Sequence, residues 1–217
     1  MNTSPDCEQV KNAFASLRER SDVASLLGLT DRALRYRLYA RPLRDQYQTF
    51  ELRKKSGGVR TITAPNATLK SIQRRLRATL ECVYEPKAAV HGFNVGCSIK
   101  TNALQHPRSK WILNIDVSEF FPSINFGRVR GMFMAAPYKC TPEAATVLAQ
   151  ICCVDNQLPQ GAPTSPIISN MNGPALAFPL NPLALAGGWF QLRPVQIVPS
   201  GAMEICCAMS DQPCVWV

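Results

Sequence analysis

The sequence predicts an α+β fold in which a helical N-terminal region leads into antiparallel strands with helices around them. Apolar residues recur at helical spacing over 8–20 and again over 22–39. From Tyr47 the pattern alternates between apolar and polar residues on both sides of a Ser-Gly-Gly turn, which is typical of a β-hairpin. A further apolar run at 111–115 is typical of a buried strand. This succession of helices, hairpin and strand gives the α+β class.

Composition indicates a polyanionic partner and separates the chain into two parts. The 217 residues include 24 Lys and Arg against 15 Asp and Glu, a formal charge of +9. Such a balance favours nucleic acid or an anionic membrane surface as partner. From Met171 onward the only charged residues are Arg193, Glu204 and Asp211. The positive charge therefore belongs to the first 170 residues, and the last 47 are apolar, Pro-rich and of a different kind.

Several classes of protein are disfavoured. The sequence has no uninterrupted run of 18 apolar residues, as a membrane-spanning helix would need, and its start lacks the pattern of a secretory signal. We therefore expect a cytoplasmic protein with no membrane partner, in which the nine cysteines are reduced thiols. The cysteines form no C-x-x-C pair, and His91 and His106 are the only histidines, which argues against structural zinc.

The N-terminal region predicts a helix over 8–20 and a helical pair over 22–39. Gly28 lies between the two helices of the pair, and Thr30 is placed to cap the second. Such a pair can read a DNA major groove, but an amphipathic helical hairpin packed on a larger domain has the same pattern.

The predicted hairpin, TFELRKKSGGVRTITAP, carries a compact group of cations around its turn. They either bind an anionic ligand or keep a solvated hairpin edge from aggregating. This cationic group consists of Arg53, Lys54, Lys55 and Arg60.

The next segment predicts an amphipathic helix over 69–84, with one apolar stripe facing the core. Its cations lie mostly outside the stripe, where they either follow phosphates or are simply solvated. The stripe is Leu69, Ile72, Leu76, Leu80 and Val83, and the cations are Lys70, Arg74, Arg75 and Arg77.

Two later segments are candidates for chemistry. Asp116 follows the predicted strand in WILNIDVSEFFPSI, and a carboxylate in such apolar surroundings needs hydrogen bonds or a cation. It could equally cap the following turn. The second segment, LPQGAPTSPIISN, places Gln160 and Gly161 in a turn before a helix that opens near Thr164. Such a turn could hold a sugar, phosphate or base, or be a Pro-rich loop with an N-cap.

Four segments together carry a resemblance to a known family. The chain resembles bacterial reverse transcriptases of the retron type, close relatives of the group II intron enzymes, over residues 20–171. SLLGLTDRALRYRLY is similar to the helical lead-in of that family. The four segments are FELRKKSGGVRTITAPNATLKSIQRRL, VHGFNVGCSIKTNALQH, WILNIDVSEFFPSINFGRVRGMF and ATVLAQICCVDNQLPQGAPTSPIISNM.

The resemblance implies a right-hand polymerase with fingers and part of a palm. The implied regions are N-terminal helices at 1–45, fingers at 46–110, a partial palm with a fingers insertion at 111–171, and an atypical tail at 172–217. The implied activity is RNA-directed DNA polymerisation with two Mg²⁺ ions. The implied partners are deoxynucleoside triphosphates, a structured non-coding RNA that serves as template and primer, and the RNA–DNA hybrid.

The resemblance also assigns roles to individual residues. Asp116 is implied as a catalytic, metal-binding carboxylate, with the backbone carbonyl of Val117 as a further ligand, and Phe121 as the residue that selects deoxynucleotides. Contacts to the nucleotide are implied for Lys54 or Lys55, Arg60, Gln160 and Gly161; contacts to the nucleic-acid backbone are implied for Arg74, Arg75 and Arg77.

The tail departs from the family. The Tyr-x-Asp-Asp motif that supplies the remaining metal carboxylates is absent from the sequence, as is the thumb, and six of the 17 prolines lie after Met171. We interpret this change as a frameshift near residue 172, which a Tyr-x-Asp-Asp in another reading frame of the DNA would confirm. This chain is then expected not to polymerise DNA, and to expose an apolar palm face unless the tail covers it.

Three other interpretations remain at this point. The chain could be a non-catalytic fragment that binds RNA, a DNA-binding regulator that uses 22–39, or a protein whose tail meets a membrane or a partner.

Overall fold

The structure is a computed structural model, and it confirms the α+β class. Its contacts divide the chain into two compact units, Met1–Glu85 with Phe121–Ile168 and Pro86–Phe120 with Ser169–Val217. None of the described helices is long and apolar enough to cross a membrane. The structure describes residues 7–53, 57–86, 93, 96–98, 100–101, 104, 111–117, 119–177, 191–197 and 203–209, and it describes the backbone alone over 111–117, 173–177, 191–197 and 203–209.

Three short helices open the first unit: α1 (Cys7–Ala15), α2 (Arg20–Leu26) and α3 (Asp31–Tyr39). The first helix ends before the predicted residue 20, because Asp22 Oδ2 accepts hydrogen bonds from the N–H groups of Arg18 (2.8 Å) and Glu19 (3.0 Å). These bonds begin a new helix instead of continuing the old one. The helical pair and its Thr30 cap are confirmed, since the Thr30 hydroxyl accepts from Ala33 N at 3.2 Å.

The predicted hairpin is formed by β1 (Tyr47–Arg53) and β2 (Val59–Pro65), which follow a short 3₁₀ helix at Leu43–Gln46. Gly57 and Gly58 in the turn have φ values of +80° and +91°, a region that favours glycine. Helix α4 (Ala67–Val83) follows at once, because the Asn66 side chain accepts from Leu69 N at 3.0 Å and caps it. Its predicted apolar stripe is buried at Leu69, Ile72, Leu76 and Leu80, while Val83 is half-buried.

Among the described residues, four more helices follow: α5 (Phe120–Ser123), α6 (Phe126–Met134), α7 (Pro142–Cys152) and α8 (Ser165–Ala177). Within the first unit, α7 packs against α2, α4 and α6. The buried Gln73 amide of α4 donates to Ile151 O (2.8 Å) and to the Tyr47 hydroxyl (2.9 Å). This one side chain therefore joins the base of the hairpin and the end of α7 to α4.

The second unit contains a three-stranded antiparallel sheet of β3 (Trp111–Val117), β4 (Gln191–Ile197) and β5 (Met203–Met209), in the order β3-β5-β4. Strand β3 extends through Val117, so Asp116 lies within the strand and not after it. Its register partner on β5 is Glu204. The atypical tail thus supplies the other two strands of this sheet, of which β5 pairs with β3 and β4 pairs with β5. The predicted division into four regions stays a prediction.

The prediction that all nine cysteines are reduced is wrong at Cys7 and Cys82, which form a disulfide. Helix α1 packs against α4 and brings the two Cα atoms to 5.2 Å, which is within the range of a disulfide. Burial raises the pKa of the Cys140 thiol to about 11 and that of Cys153 to about 12, and it raises the pKa of Cys152 as well.

These thiols are expected to resist alkylation near neutral pH in the folded chain. A raised thiol pKa leaves little thiolate, and the thiolate is the nucleophile. Cys97, which is half-buried, should react faster than the buried Cys140, Cys152 and Cys153. Mass spectrometry of iodoacetamide-treated protein measures the order, and equal labelling of all four without denaturant would contradict it.

Replacing Gly131 by alanine is expected to stabilise the protein. Gly131 lies within α6, its side of the helix is exposed, and a Cβ added there meets nothing within 4 Å. Alanine loses less backbone entropy than glycine in a helix, which is worth about 0.5–1 kcal/mol. Urea unfolding followed by circular dichroism measures the change in the free energy of unfolding. A lower free energy of unfolding in Gly131→Ala would contradict this prediction.

Candidate functional site

The loop between α7 and α8 docks on the outer edge of strand β2. Thr63 N donates a 2.9 Å hydrogen bond to Gln160 O, so the backbone of the loop continues the hydrogen bonding of the hairpin. The loop is anchored at both ends, since Leu158 N donates to Ile124 O (3.0 Å) and the buried Ser165 hydroxyl donates to Pro159 O (2.6 Å). The structure therefore brings the predicted residues Gln160 and Gly161 to the predicted hairpin.

Only glycine fits at position 161. Its φ is +134°, and a Cβ built there would lie 2.8 Å from Ile62 Cγ2 and 3.1 Å from Thr63 O. Both the backbone conformation and the available space therefore exclude a side chain. The close approach leaves Gly161 itself exposed on the surface beside β2.

One side of the hairpin presents an apolar surface with a cation. In the β1–β2 register Phe50 pairs with Ile62 and Leu52 pairs with Arg60, and cross-strand pairs two residues apart share a face. Phe50 is 46% exposed and Leu52 50% exposed. We call Phe50, Leu52, Arg60 and Ile62, together with the Gln160–Gly161 loop, the hairpin face.

The hairpin face combines groups that a nucleotide needs. Apolar side chains can pack against a base or a sugar, and a guanidinium can form charge-assisted hydrogen bonds with a phosphate. Lys54 and Lys55 lie outside the described residues, so the predicted choice between them stays open. Sequence reasoning missed Phe50 and Leu52, although the alternation of the strand already placed them on the side of Arg60.

The three arginines of α4 have different surroundings, although all are exposed. Arg75 Nη1 donates to Leu27 O at 2.9 Å and so caps the end of α2. Arg77 forms a 2.7 Å ion pair with Glu81 one turn later. Arg74 makes no ion pair or hydrogen bond among the described residues. Of the three predicted backbone contacts, Arg74 is therefore the one without a competing structural role.

Asp116 and Val117 lie on β3 in the second unit, and Phe121 follows in α5. Phe121 is 5% exposed, so its ring is packed in the interior, and its predicted selection of deoxynucleotides stays a prediction. Among residues whose side chains are described, no three His, Cys, Asp or Glu residues gather as a metal site.

Asp116 and its register partner Glu204 are residue types that can bind Mg²⁺. Both are carboxylates, and Val117 offers a carbonyl, which are the hard oxygen ligands that Mg²⁺ prefers. A pair of ions at about 3.5–4 Å needs further carboxylates to offset their mutual repulsion. Sequence reasoning did not anticipate Glu204 opposite Asp116, because no local signal links positions so far apart.

Comparison with known proteins adds an independent observation. Residues 52–176 match the family described as reverse transcriptase (RNA-dependent DNA polymerase). The chain is similar to the retron Mx65 reverse transcriptase of Myxococcus xanthus, with 38% identity over 70% of this chain and 40% of the relative. It is also similar to the retron Ec86 reverse transcriptase of Escherichia coli, with 34% identity over 69% of this chain and 46% of the relative. The retron Mx162 reverse transcriptase of Myxococcus xanthus is 30% identical over 73% of this chain and 36% of the relative. The match thus spans less than half the length of these relatives.

Proposed function

Since the chain belongs to the reverse transcriptase family and is of the retron type, we propose that it forms the fingers and part of the palm of an RNA-directed DNA polymerase. The observation that carries this proposal is the docking of the Gln160–Gly161 loop on β2. This docking brings the β1–β2 hairpin and the α7–α8 loop, which lie in two separate family segments, into one surface, the hairpin face. That surface suits the binding of a nucleotide paired with a template.

The proposed substrates are a deoxynucleoside triphosphate and a primer end. Arg60, with Lys54 or Lys55, holds the triphosphate, while Phe50, Leu52 and the Gln160–Gly161 loop hold the apolar part of the nucleotide and the template. In the transfer step the primer 3′-hydroxyl passes its proton to water and its oxygen attacks the α-phosphorus. The bond between the α-phosphorus and the α,β-bridging oxygen breaks, and pyrophosphate leaves. Phe121 is the proposed residue that excludes a 2′-hydroxyl.

The reverse transcriptase family is generally metal-dependent, and Asp116 with the Val117 carbonyl are the proposed ligands here. A bound Mg²⁺ supplies charge neutralisation for the triphosphate. The proposed two-ion site needs carboxylates beyond Asp116, and the Tyr-x-Asp-Asp motif that supplies them in the family is absent from the sequence. The absence of that motif favours a second candidate function for the chain alone, namely binding of RNA or of an RNA–DNA hybrid without catalysis.

We call the exposed side of α4 that carries Arg74 the basic surface, and its proposed partners are a structured non-coding RNA and the hybrid copied from it. The wide, shallow groove of an A-form hybrid is recognised through its shape and phosphates. Arg74 is the proposed phosphate contact on α4, because Arg75 and Arg77 already bond within the protein. A cytoplasmic location stays part of this proposal.

Nucleotide binding tests the hairpin face. A fluorescent deoxynucleoside triphosphate is titrated into the chain in the presence of Mg²⁺, and Arg60→Gln is compared with Lys11→Gln. Lys11 is an exposed cation on α1 and so controls for net charge. We expect Arg60→Gln to weaken binding about tenfold, as for the loss of one charge-assisted contact. Equal affinities of the two variants would contradict the proposed site.

Hybrid binding tests the basic surface separately. Fluorescence anisotropy of a labelled RNA–DNA hybrid gives the slope of log affinity against log salt concentration. Each lost phosphate contact reduces the magnitude of this slope by about 0.7–0.9. We expect that reduction for Arg74→Gln and not for Lys11→Gln; identical slopes would remove Arg74 from the proposed interface.

A further inference from the structure

Helix α3 presents a face that the proposed polymerase function does not use. Arg32, Arg35, Tyr36 and Tyr39 are spaced three, four and seven residues apart, so they share one side of the helix. All four side chains are exposed. The opposite stripe, Leu34 and Leu38, is buried in the first unit. We call the four exposed residues the α3 face.

Two aromatic rings on this surface are exposed and yet held in place. Tyr36 is 55% exposed and Tyr39 is 53% exposed. The Tyr39 hydroxyl donates a 2.9 Å hydrogen bond to Gln150 Oε1 on α7, which fixes its ring against the first unit. Arg37 Cζ lies 5.9 Å from the centre of the Tyr36 ring, a cation–π contact. The rings therefore form a preformed surface on which a planar group can stack.

The charge around the rings is positive. Helix α3 carries Arg32, Arg35 and Arg37, and none of the three forms an ion pair among the described residues. The acid of the helix, Asp31, forms an ion pair with Arg20, with N–O distances of 2.7 and 3.0 Å. The three arginines and the two tyrosines of this helix line an open depression of about 620 Å³ on the surface.

We propose that the α3 face binds single-stranded nucleic acid, with bases stacked on Tyr36 and Tyr39 and phosphates held by Arg32 and Arg35. The exposed rings select a single strand, because only unpaired bases offer their faces for stacking. The arginines and tyrosines share one side of the helix, so phosphates and bases of the same short strand can contact them together. The proposal goes beyond the hairpin face and does not depend on catalysis.

Binding of the complete chain to three labelled probes tests the proposal. The probes are a single-stranded RNA of about 12 nucleotides, the single-stranded DNA of the same sequence, and the duplex DNA, each followed by fluorescence anisotropy. Tyr36→Leu removes the ring at similar size, and Tyr36→Phe keeps it. We expect Tyr36→Leu to weaken single-strand binding about five- to tenfold and Tyr36→Phe to bind like the parent chain. RNA preference would show that the 2′-hydroxyl contributes, and equal affinity that phosphate and base suffice; both support the proposal.

The arginines are tested by salt dependence. The double substitution Arg32→Gln and Arg35→Gln should reduce the magnitude of the single-strand salt slope by about 1.4, since each phosphate contact contributes about 0.7. Lys11→Gln is the control. The RNA–DNA hybrid should bind Tyr36→Leu as it binds the parent chain, which separates this surface from the proposed polymerase contacts. Unchanged single-strand affinity in Tyr36→Leu would overturn the proposal, as would tighter, Tyr36-dependent binding of duplex DNA, the result expected of a helix that reads a major groove.

Discussion

The 217-residue chain is expected to bind an RNA–DNA primer–template and yet to add no detectable nucleotide to the primer. The sequence lacks the Tyr-x-Asp-Asp motif, and Asp116 alone would not offset the mutual repulsion of two Mg²⁺ ions. Without a second ion, the charge that develops on the attacking and leaving oxygens would lack a cation, and such electrostatic stabilisation is usually the largest contribution to catalysis. A primer-extension gel with all four deoxynucleoside triphosphates and Mg²⁺ measures the outcome.

The same primer-extension assay can contradict this expectation. Mg²⁺-dependent extension that disappears in Asp116→Ala would show that the chain holds a working site after all. Glu204→Gln then shows whether Glu204 belongs to that site. Loss of extension in this variant as well would identify Asp116 and Glu204 together as the metal site. Hybrid binding by the anisotropy assay is the folding control, since neither variant lies on the basic surface.

Local chemistry explains why several elements could be predicted from sequence. The hairpin follows from strand alternation and two glycines that accept positive φ, and α4 follows from an N-capping Asn66 and an apolar stripe. The cap at Thr30 is of the same kind. Each of these features depends on residues within a few positions of one another, so a short sequence pattern is enough to predict it.

Contacts between distant residues account for what could not be predicted. The Arg75 guanidinium donates to Leu27 O at the end of α2, 48 positions away in the sequence, while its predicted phosphate contact stays a prediction. The Cys7–Cys82 bridge depends on α1 lying along α4. The pairing of Asp116 with Glu204 depends on the strand order of the second unit. None of these partners leaves a periodic or spaced signal in the sequence.

The contact between the hairpin and the loop that joins α7 to α8 could be predicted only in part. The resemblance to reverse transcriptases assigned Arg60, Gln160 and Gly161 to one substrate, but it did not explain why the loop needs a glycine. The geometry does, because the loop backbone continues the edge of β2 and leaves no space for a Cβ. Position 161 is therefore where the fold and the proposed site are most tightly coupled.

Gly161→Val is accordingly expected to destabilise the first unit by about 2–6 kcal/mol, through backbone strain at positive φ and overpacking, each of about 1–3 kcal/mol. The valine would meet Ile62 and the Thr63 carbonyl, so the loop must leave β2 and the Thr63–Gln160 hydrogen bond must break. Binding of the fluorescent deoxynucleoside triphosphate should weaken in the same variant.

Urea unfolding followed by circular dichroism measures the loss, with Gly131→Ala as the matched control at a glycine whose added Cβ meets nothing. If the free energy of unfolding falls in Gly161→Val and rises in Gly131→Ala, the loss comes from the docked loop and not from glycine replacement in general. Gly161→Ala should fall between the parent chain and Gly161→Val, because it carries the strain at φ +134° with less added volume. If Gly161→Val instead unfolds within about 0.5 kcal/mol of the parent chain, as substitutions away from such constraints do, the loop does not dock on β2 in solution. The hairpin face would then lose the contact that defines it.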